Sequence, residues 1–329
     1  MSRARGQGGG GGDAVAARHL LVALADDGMR LDTFVGRGAG ISATAARRLI
    51  EKGLVRVNGQ NAAKGTRLSA GMSVEVAGSA VTQPIAGALV LPDPALSITV
   101  VYEDQDVVAI DKPAGIPSHP LRPGERGTAA NALVTRFPEC AIASIDPREG
   151  GLGHRLDTGT SGVLIAARNR QAWLALRRCL GADDCEKSYL CEVWGRPAET
   201  GRIDAEIGRH GRRGRTVRVG GGGRQPRSAE TTWRVLGWTA QSALVEARLH
   251  AGRAHQVRAH LAAAGFPLVG DDRYGTVEAP VAGSTSGGLP RLHLHAATVR
   301  FRHPVTGTIL EIAAPAPDWA RRELFTPPG

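Results

Sequence analysis

Residues 153–162 read Gly-His-Arg-Leu-Asp-Thr-Gly-Thr-Ser-Gly and run straight into the apolar stretch Val163-Leu164-Ile165. A polar, glycine-rich turn opening onto a short apolar run is the pattern of a loop that feeds a buried strand. Within it, Asp157 follows Arg155 by two residues. A guanidinium so near favours the ionised carboxylate, and the hydroxyl and amide donors of the following turn can orient it. The glycines permit tight backbone geometry close to a ligand. A lone Asp in such a turn serves equally well as a capping group, so spacing alone leaves its chemistry open. The loop is no phosphate cradle, because no Gly-Lys-Ser/Thr follows. Gly36-Arg37-Gly38-Ala39-Gly40 likewise lacks the strand–helix unit of a dinucleotide site.

Outward from this loop, residues 98–317 read as short strands alternating with helices. Residues 107–110, 163–165, 188–193, 243–249 and 308–312 have the makeup of strands. Asn169 is placed to cap a helix carrying Trp173, Leu176 and Leu180 on one face, closed at Gly181. A second helix is expected over 254–264, burying Val257, Leu261 and Ala264 and stopped by Gly265 and Pro267. Residues 30–76 form a smaller unit. There Ser42 caps a helix ending at Lys52, Gly53 takes the left-handed C-cap, and Val55-Arg56-Val57 turns at Asn58-Gly59 toward a return at 73–76.

Composition narrows the class. The 329 residues hold 41 Lys+Arg against 31 Asp+Glu, a net charge of +10. Only Lys52, Lys64, Lys112 and Lys187 are lysines, so the excess is arginine, the residue suited to planar contacts with phosphate. Such a balance favours an anionic partner such as nucleic acid or an acidic membrane surface. No apolar run approaches the roughly 18 residues of a membrane span, and Leu20 to Ala25 is too short for a signal peptide, so a cytoplasmic protein without membrane partners is expected. Cys140, Cys179, Cys185 and Cys191 show no Cys-x-x-Cys spacing and read as small buried hydrophobes. His250, His255 and His260, five apart, do not match helical zinc ligands, so no metal is expected.

Several strings together carry a family resemblance. HRLDTGTSG at 154–162 resembles the signature of the RluA branch of pseudouridine synthases. VVYEDQDVVAIDKPAGIPSHP at 100–120 resembles that family's opening hairpin, and KSYLCEVWG at 187–195 its Lys-x-Tyr element. GRAHQVRAHLAAAGFPLVGDDRYG at 252–275 and LHLHAATVRFRHPVTG at 292–307 resemble its late motifs. Ala251 departs from the pattern, which often has Thr there. Residues 30–76, with Arg30-Leu31-Asp32, Ile41-Ser42, Arg47-Arg48, Val57-Asn58-Gly59 and Gly71, resemble the S-four RNA-binding module of a small-subunit ribosomal protein. The resemblance implies an α+β protein: a small S-four-like domain joined to a catalytic domain with a mixed, largely antiparallel sheet, flanking helices and a central cleft.

The implied reaction converts uridine to pseudouridine in structured RNA without cofactor or metal. By resemblance Asp157 is the catalytic aspartate, as nucleophile or base. Tyr189 stacks on the target base, Arg258 pairs with the aspartate, and Arg155 helps displace the nucleotide. His154, Thr160 and Lys187 from the same motifs are placed with the RNA-contacting residues, and Leu294 with the pocket wall. Arg47, Arg48 and Lys52 are expected to contact RNA from the small domain. Seven arginines between 209 and 227, Arg212, Arg213 and Arg215 among them, stand without any acidic residue and are expected to clamp RNA. Large-subunit ribosomal RNA is the expected substrate and transfer RNA the alternative. A non-catalytic ribosome-assembly factor would share the charge but has no need of Asp157, Tyr189 and Arg258 together. A glycoside-type hydrolase would want two placed carboxylates. The expected layout is a basic tail over 1–27, the small domain over 28–78, a linker over 79–97, the catalytic domain over 98–318 and a tail over 319–329, in a monomer.

Overall fold

A computed structural model of the chain describes residues 18–23, 26–39, 43–63, 65–77, 89–211, 216–250, 252–275 and 291–328. Contacts divide the chain into two compact units, one up to Ala88 and one from Leu89. Among the described residues no helix is long and apolar enough to cross a membrane.

The first unit packs α1 (Leu31–Ala39) and α2 (Ala43–Glu51) on a four-stranded antiparallel sheet. The sheet comprises β1 (Arg18–Leu21), β2 (Val55–Val57), β3 (Gln60–Asn61) and β4 (Ser73–Val76), in the order β1-β4-β2-β3. Its core holds Leu31, Val35, Ala46, Val55, Leu68 and Val74. Gly53 takes φ +71° after α2, and Leu54 N–H reaches back to Leu49 O, the geometry of a glycine C-cap. Asn58 (φ +48°) and Gly59 (φ +78°) make the tight turn between β2 and β3. The expected cap, Ser42, lies outside the described residues.

The second unit is built on one nine-stranded sheet. Its strands are β5 (Thr99–Glu103), β6 (Val107–Lys112), β7 (Ser161–Ala167), β8 (Glu186–Trp194), β9 (Thr200–Asp204), β13 (Glu230–Trp238), β14 (Ser242–Leu249), β15 (Leu294–Arg302) and β16 (Ile309–Ala313). The order is β5-β6-β7-β15-β8-β14-β13-β9, with β16 joined to β15. Every named pairing is antiparallel except β7 with β15, where His295 lies opposite Ser161 and Ala296 opposite Gly162. The sequence pattern of alternating elements therefore resolves into a mostly antiparallel sheet with few helices. They are α3 (Ala129–Arg136), α4 (Cys140–Ala143), α5 (Arg170–Cys179) and α6 (Gln256–Ala263).

Period-2 alternation sends neighbouring residues to opposite faces. Val108, Ile110, Leu164 and Ala166 pack with Leu133 and Val134 of α3. Val107, Ala109, Val163 and Ile165 pack with Trp173 and Leu176 of α5. Strands covered on both faces read as continuous apolar runs, which is why 107–110 and 163–165 carry no polar alternation. Asn169 caps α5 as expected, accepting from Ala172 N–H at 2.8 Å. Cys140, Cys185 and Cys191 are buried and Cys179 half-buried, none in a disulfide. A separate three-stranded antiparallel sheet, β10 (Ile207–His210), β11 (Thr216–Val219) and β12 (Arg224–Arg227), holds part of the arginine-rich segment.

Two segments depart from the expected layout. Residues 89–97, read as linker from their prolines, are fastened to α3: Asn131 Nδ2 donates to Leu91 O at 2.7 Å and Thr135 Oγ1 accepts from Asp93 N–H at 2.8 Å. Residues 319–328, read as tail, fold back on the sheet. Trp319 stacks on His293 at 4.6 Å, Phe325 is buried beside Leu244, and Thr326 pairs with Trp238. Burial of the Phe325 ring and stacking of the half-buried Trp319 hold a segment that lacks any strand or helix signal.

Candidate active site

The decisive loop is held from several sides at the entry to β7. Ser118, buried, donates through Oγ to Leu156 O at 2.7 Å and accepts Leu156 N–H at 2.9 Å, clamping the residue before Asp157. Gly115 N–H bonds Thr158 O at 2.8 Å, and Thr160 N–H bonds Asp157 O at 3.1 Å. Lys112 is fully buried; its ammonium donates to Pro113 O (2.9 Å) and Ile116 O (2.8 Å) and reaches Thr158 O at 3.4 Å. Burial lowers its pKa to about 8, against the opposing pull of Asp157 and Asp111. Gly162 takes φ +107°, and a Cβ there would lie 2.2 Å from Ala296 O, so glycine is what allows β15 to close on the loop.

Asp157 is thereby presented partly open, its side chain 28% exposed. Its Oδ2 accepts from Arg258 Nη1 at 2.9 Å, joining residues 101 apart in sequence. Arg258 is almost fully buried on α6. Its Nε and Nη2 donate to Asp271 Oδ2 and Oδ1, both at 2.8 Å, and Nη2 reaches Asp272 Oδ1 at 3.4 Å. Burial alone would lower the guanidinium pKa and raise that of Asp271. The hydrogen bonds and opposite charges win, so Arg258 lies above its ordinary value and Asp271 below. A bidentate pair of this kind fixes the guanidinium plane as well as its charge. The Tyr274 ring lies under the same guanidinium at 5.4 Å.

Tyr189, on β8, packs against the clusters of both α3 and α6, and burial together with the Asp157 charge pushes its phenol up. Asp157 thus meets Arg258 directly and lies near Tyr189, while Arg155 is exposed on the same loop. α6 starts at Gln256 rather than 254 because His255 adopts the left-handed conformation, φ +56° and ψ 19°. His255 Nε2 lies 3.6 Å from Asp157 Oδ1.

Other expected RNA contacts face inward. His154 Nε2 accepts Ile165 N–H at 3.1 Å, tying the loop to β7, and burial followed by the Lys187 and Arg177 charges lowers its pKa to about 3. Lys187 is buried and donates to Leu180 O at 2.7 Å, the open carbonyl at the end of α5, so it serves as a helix cap rather than an RNA ligand. Thr160 is buried at 2% exposure, and Leu294 sits in the core with Val257 and Leu261 of α6. In the first unit, Arg48 and Lys52 are exposed. Arg47 and Arg30 clasp the buried Asp32, at 2.5 and 3.0 Å, which holds that carboxyl far below its usual range. Arg209, Arg218, Arg224 and Arg227 are exposed on the small sheet, while Arg212, Arg213 and Arg215 lie outside the described residues. The sequence reading passed over Asp271, Tyr274, Lys112 and Ser118. Asp271 and Tyr274 stand in the quoted Gly-Asp-Asp-Arg-Tyr-Gly string, three residues apart, and that string was the available signal.

Comparison with known proteins gives the family. The chain is 34% identical to an uncharacterized RNA pseudouridine synthase of Mycobacterium bovis, over 92% of this chain and 96% of the relative. The chain belongs to the RNA pseudouridine synthase family. The family model described as RNA pseudouridylate synthase matches residues 106–263, and an S4 domain model matches 29–74. Ribosomal large subunit pseudouridine synthase D of Xanthomonas campestris is 37% identical over 83% of this chain and 81% of that protein. Among solved structures, human RNA pseudouridylate synthase domain containing 1 superposes with a TM-score of 0.54 at 27% identity, covering 72% of this chain and 91% of its own. The chain is accordingly an isomerase of the pseudouridine synthase type, with an RNA-binding module ahead of its synthase domain.

Proposed function

We propose that this synthase isomerises uridine in large-subunit ribosomal RNA, with Asp157 as the catalytic carboxylate and no cofactor. The relative from Xanthomonas, named for the ribosomal large subunit, supports the substrate. The observation that carries the catalytic assignment is the 2.9 Å pair between Asp157 and the buried, doubly anchored Arg258. It fixes one oxygen of a carboxylate whose side chain remains 28% exposed. In the reaction the N1–C1′ bond breaks, the uracil turns, and C5 bonds to C1′. The C5 proton leaves and N1 is protonated, so the transformation balances without oxidant or hydrolysis. Asp157 acts on the target nucleotide as nucleophile or base. Tyr189 offers an aromatic face to uracil. Extruding the base from a helix costs roughly a few kcal/mol, and Arg155 and the exposed arginines of the small sheet hold the displaced strand by its phosphates. Arg48 and Lys52 extend the contact from the S4 module.

Asp157→Asn is expected to abolish tritium release from RNA labelled at uracil C5 while RNA affinity stays close to wild type. Normal release by this variant refutes the catalytic assignment. Mapping pseudouridine in total RNA with and without the protein checks the substrate, and a missing site in transfer RNA alone would overturn it.

A further inference from the structure

The second oxygen of Asp157 opens a line of contacts that leads away from Arg258. Asp157 Oδ1 lies 3.6 Å from His255 Nε2. His255 Nδ1 lies 2.8 Å from the Tyr274 hydroxyl, and that hydroxyl accepts the backbone N–H of Val217 at 2.9 Å. Val217 belongs to β11, so the line ends in the small sheet that carries the exposed Arg209, Arg218, Arg224 and Arg227. The sheet is seated here by Ile207, Val217 and Ala229 packing with Ala259 of α6.

The protons along this line can be placed in two ways. Val217 donates to the phenol oxygen, which can accept a second bond, so the 2.8 Å contact with His255 Nδ1 is made either by the phenol's proton or by the ring's own. In the first case the neutral ring carries its proton on Nε2, the nitrogen turned toward Asp157 Oδ1 at 3.6 Å. In the second case Nε2 is bare and receives Arg273 Nη1 at 3.5 Å. His255 holds a left-handed conformation at the helix start, yet its side chain makes no capping bond to the helix. Histidine tolerates that region better than most residues, and here it carries the ring to Asp157 and Tyr274.

We propose that the first placement holds, that His255 and Tyr274 are positioning residues for Asp157, and that through Val217 they make correct seating of the arginine-bearing sheet a condition of catalysis. The inference rests on Asp157 being the catalytic carboxylate. With the sheet seated, Nε2–H faces Oδ1 and Arg258 holds Oδ2, so the carboxylate has a single orientation. If Val217 leaves Tyr274, the hydroxyl no longer dictates the tautomer. An unprotonated Nε2 then opposes the carboxylate lone pairs and turns Asp157 from its working position.

The test uses the full chain and C5-tritiated total RNA from cells lacking the protein. Tyr274→Phe keeps the ring and removes only the hydroxyl. It is expected to slow single-turnover tritium release at least about tenfold, as small misplacements of reacting groups do, with RNA affinity unchanged within about twofold. His255→Asn retains a residue that tolerates the left-handed backbone and is expected to lose a similar factor. Because Tyr274 acts through His255, the double variant should be no slower than His255→Asn alone, within about twofold. A wild-type rate for Tyr274→Phe, or multiplying losses in the double variant, overturns the proposal. Nitrogen NMR of His255 in the unaltered protein gives an independent check: the Nε2–H tautomer is expected, and Nδ1–H refutes the relay even if a variant fails to fold. Asp157→Asn in the same assay separates the two levels. Release by that variant sinks the catalytic assignment, whereas a silent Asp157→Asn beside an unaffected Tyr274→Phe sinks only the relay.

Discussion

Replacing Arg258 with methionine removes a cation that touches Asp157, Asp271 and Asp272 at once. The Asp271 side chain is fully buried, and its Oδ2 would lose the Arg258 Nε–H bond of 2.8 Å. Its Oδ1 would keep the N–H groups of Arg273 (2.9 Å) and Tyr274 (3.1 Å). Removing one partner of a buried ion pair costs about 3–5 kcal/mol. For a unit of this size that lowers Tm by roughly 6 to 20 °C in thermal unfolding followed by circular dichroism. The pH dependence adds a signature. In the native protein Asp271 lies below its ordinary pKa because Arg258 overcomes the effect of burial. Without Arg258 burial prevails, and the folded-state value rises above the unfolded one of about 3.9. A carboxyl so shifted stabilises the fold below the unfolded value, and that stability is lost as pH rises through the folded value. The variant's deficit therefore shrinks on acidification. Arg258→Met with Asp271→Asn removes the stranded charge and should regain most of the lost Tm while remaining inactive, since Asp157 still lacks its 2.9 Å partner. A Tm loss under about 2 °C for the single variant, or a double variant no more stable than the single, refutes the reasoning.

Other outcomes follow from the same geometry. Lys112 has a folded-state pKa of about 8, below the unfolded value of about 10.4. Between these values the unfolded chain binds more protons, so stability rises with pH across that window. The rise in urea midpoint from pH 8 to 10 should be smaller in Lys112→Met than in wild type, and an equal rise argues against a depressed Lys112. Substituting Arg218 and Arg224 with glutamine should flatten the slope of log K against log salt by about one unit per lost phosphate contact. An unchanged slope means that this face does not bind RNA.

Much of the molecule was legible because its signals are local. The glycine cap at Gly53, the Asn58-Gly59 turn and the Asn169 cap each act over a few residues. The strands at 107–110 and 163–165 announce themselves by being buried on both faces. Side-chain direction was less legible. Lys187 reads as a surface cation, yet it is covered by the end of α5, a neighbour set only by the tertiary fold. His154 looks like a polar ligand in a polar loop, but its nitrogen completes the edge of β7. The Arg258–Asp271 pair was hidden for the same reason, because a helix and the loop after it meet only once the sheet is assembled.

The parallel joint between β7 and β15 bears on how the chain is made. β15 lies in the middle of the sheet, between β7 and β8, although it is the penultimate strand in the chain. Without it, β5, β6 and β7 with the Asp157 loop share no strand pairing with β8, β14, β13 and β9, the side that carries Tyr189 and packs with α6 and Arg258. Residues 294–302 join the two sides and so hold the Asp157 loop against its partners. A growing chain on the ribosome therefore has no working centre before its last strands emerge. Loss of the C-terminal strands would leave both halves without a shared edge, and with no catalytic centre, however well each had folded.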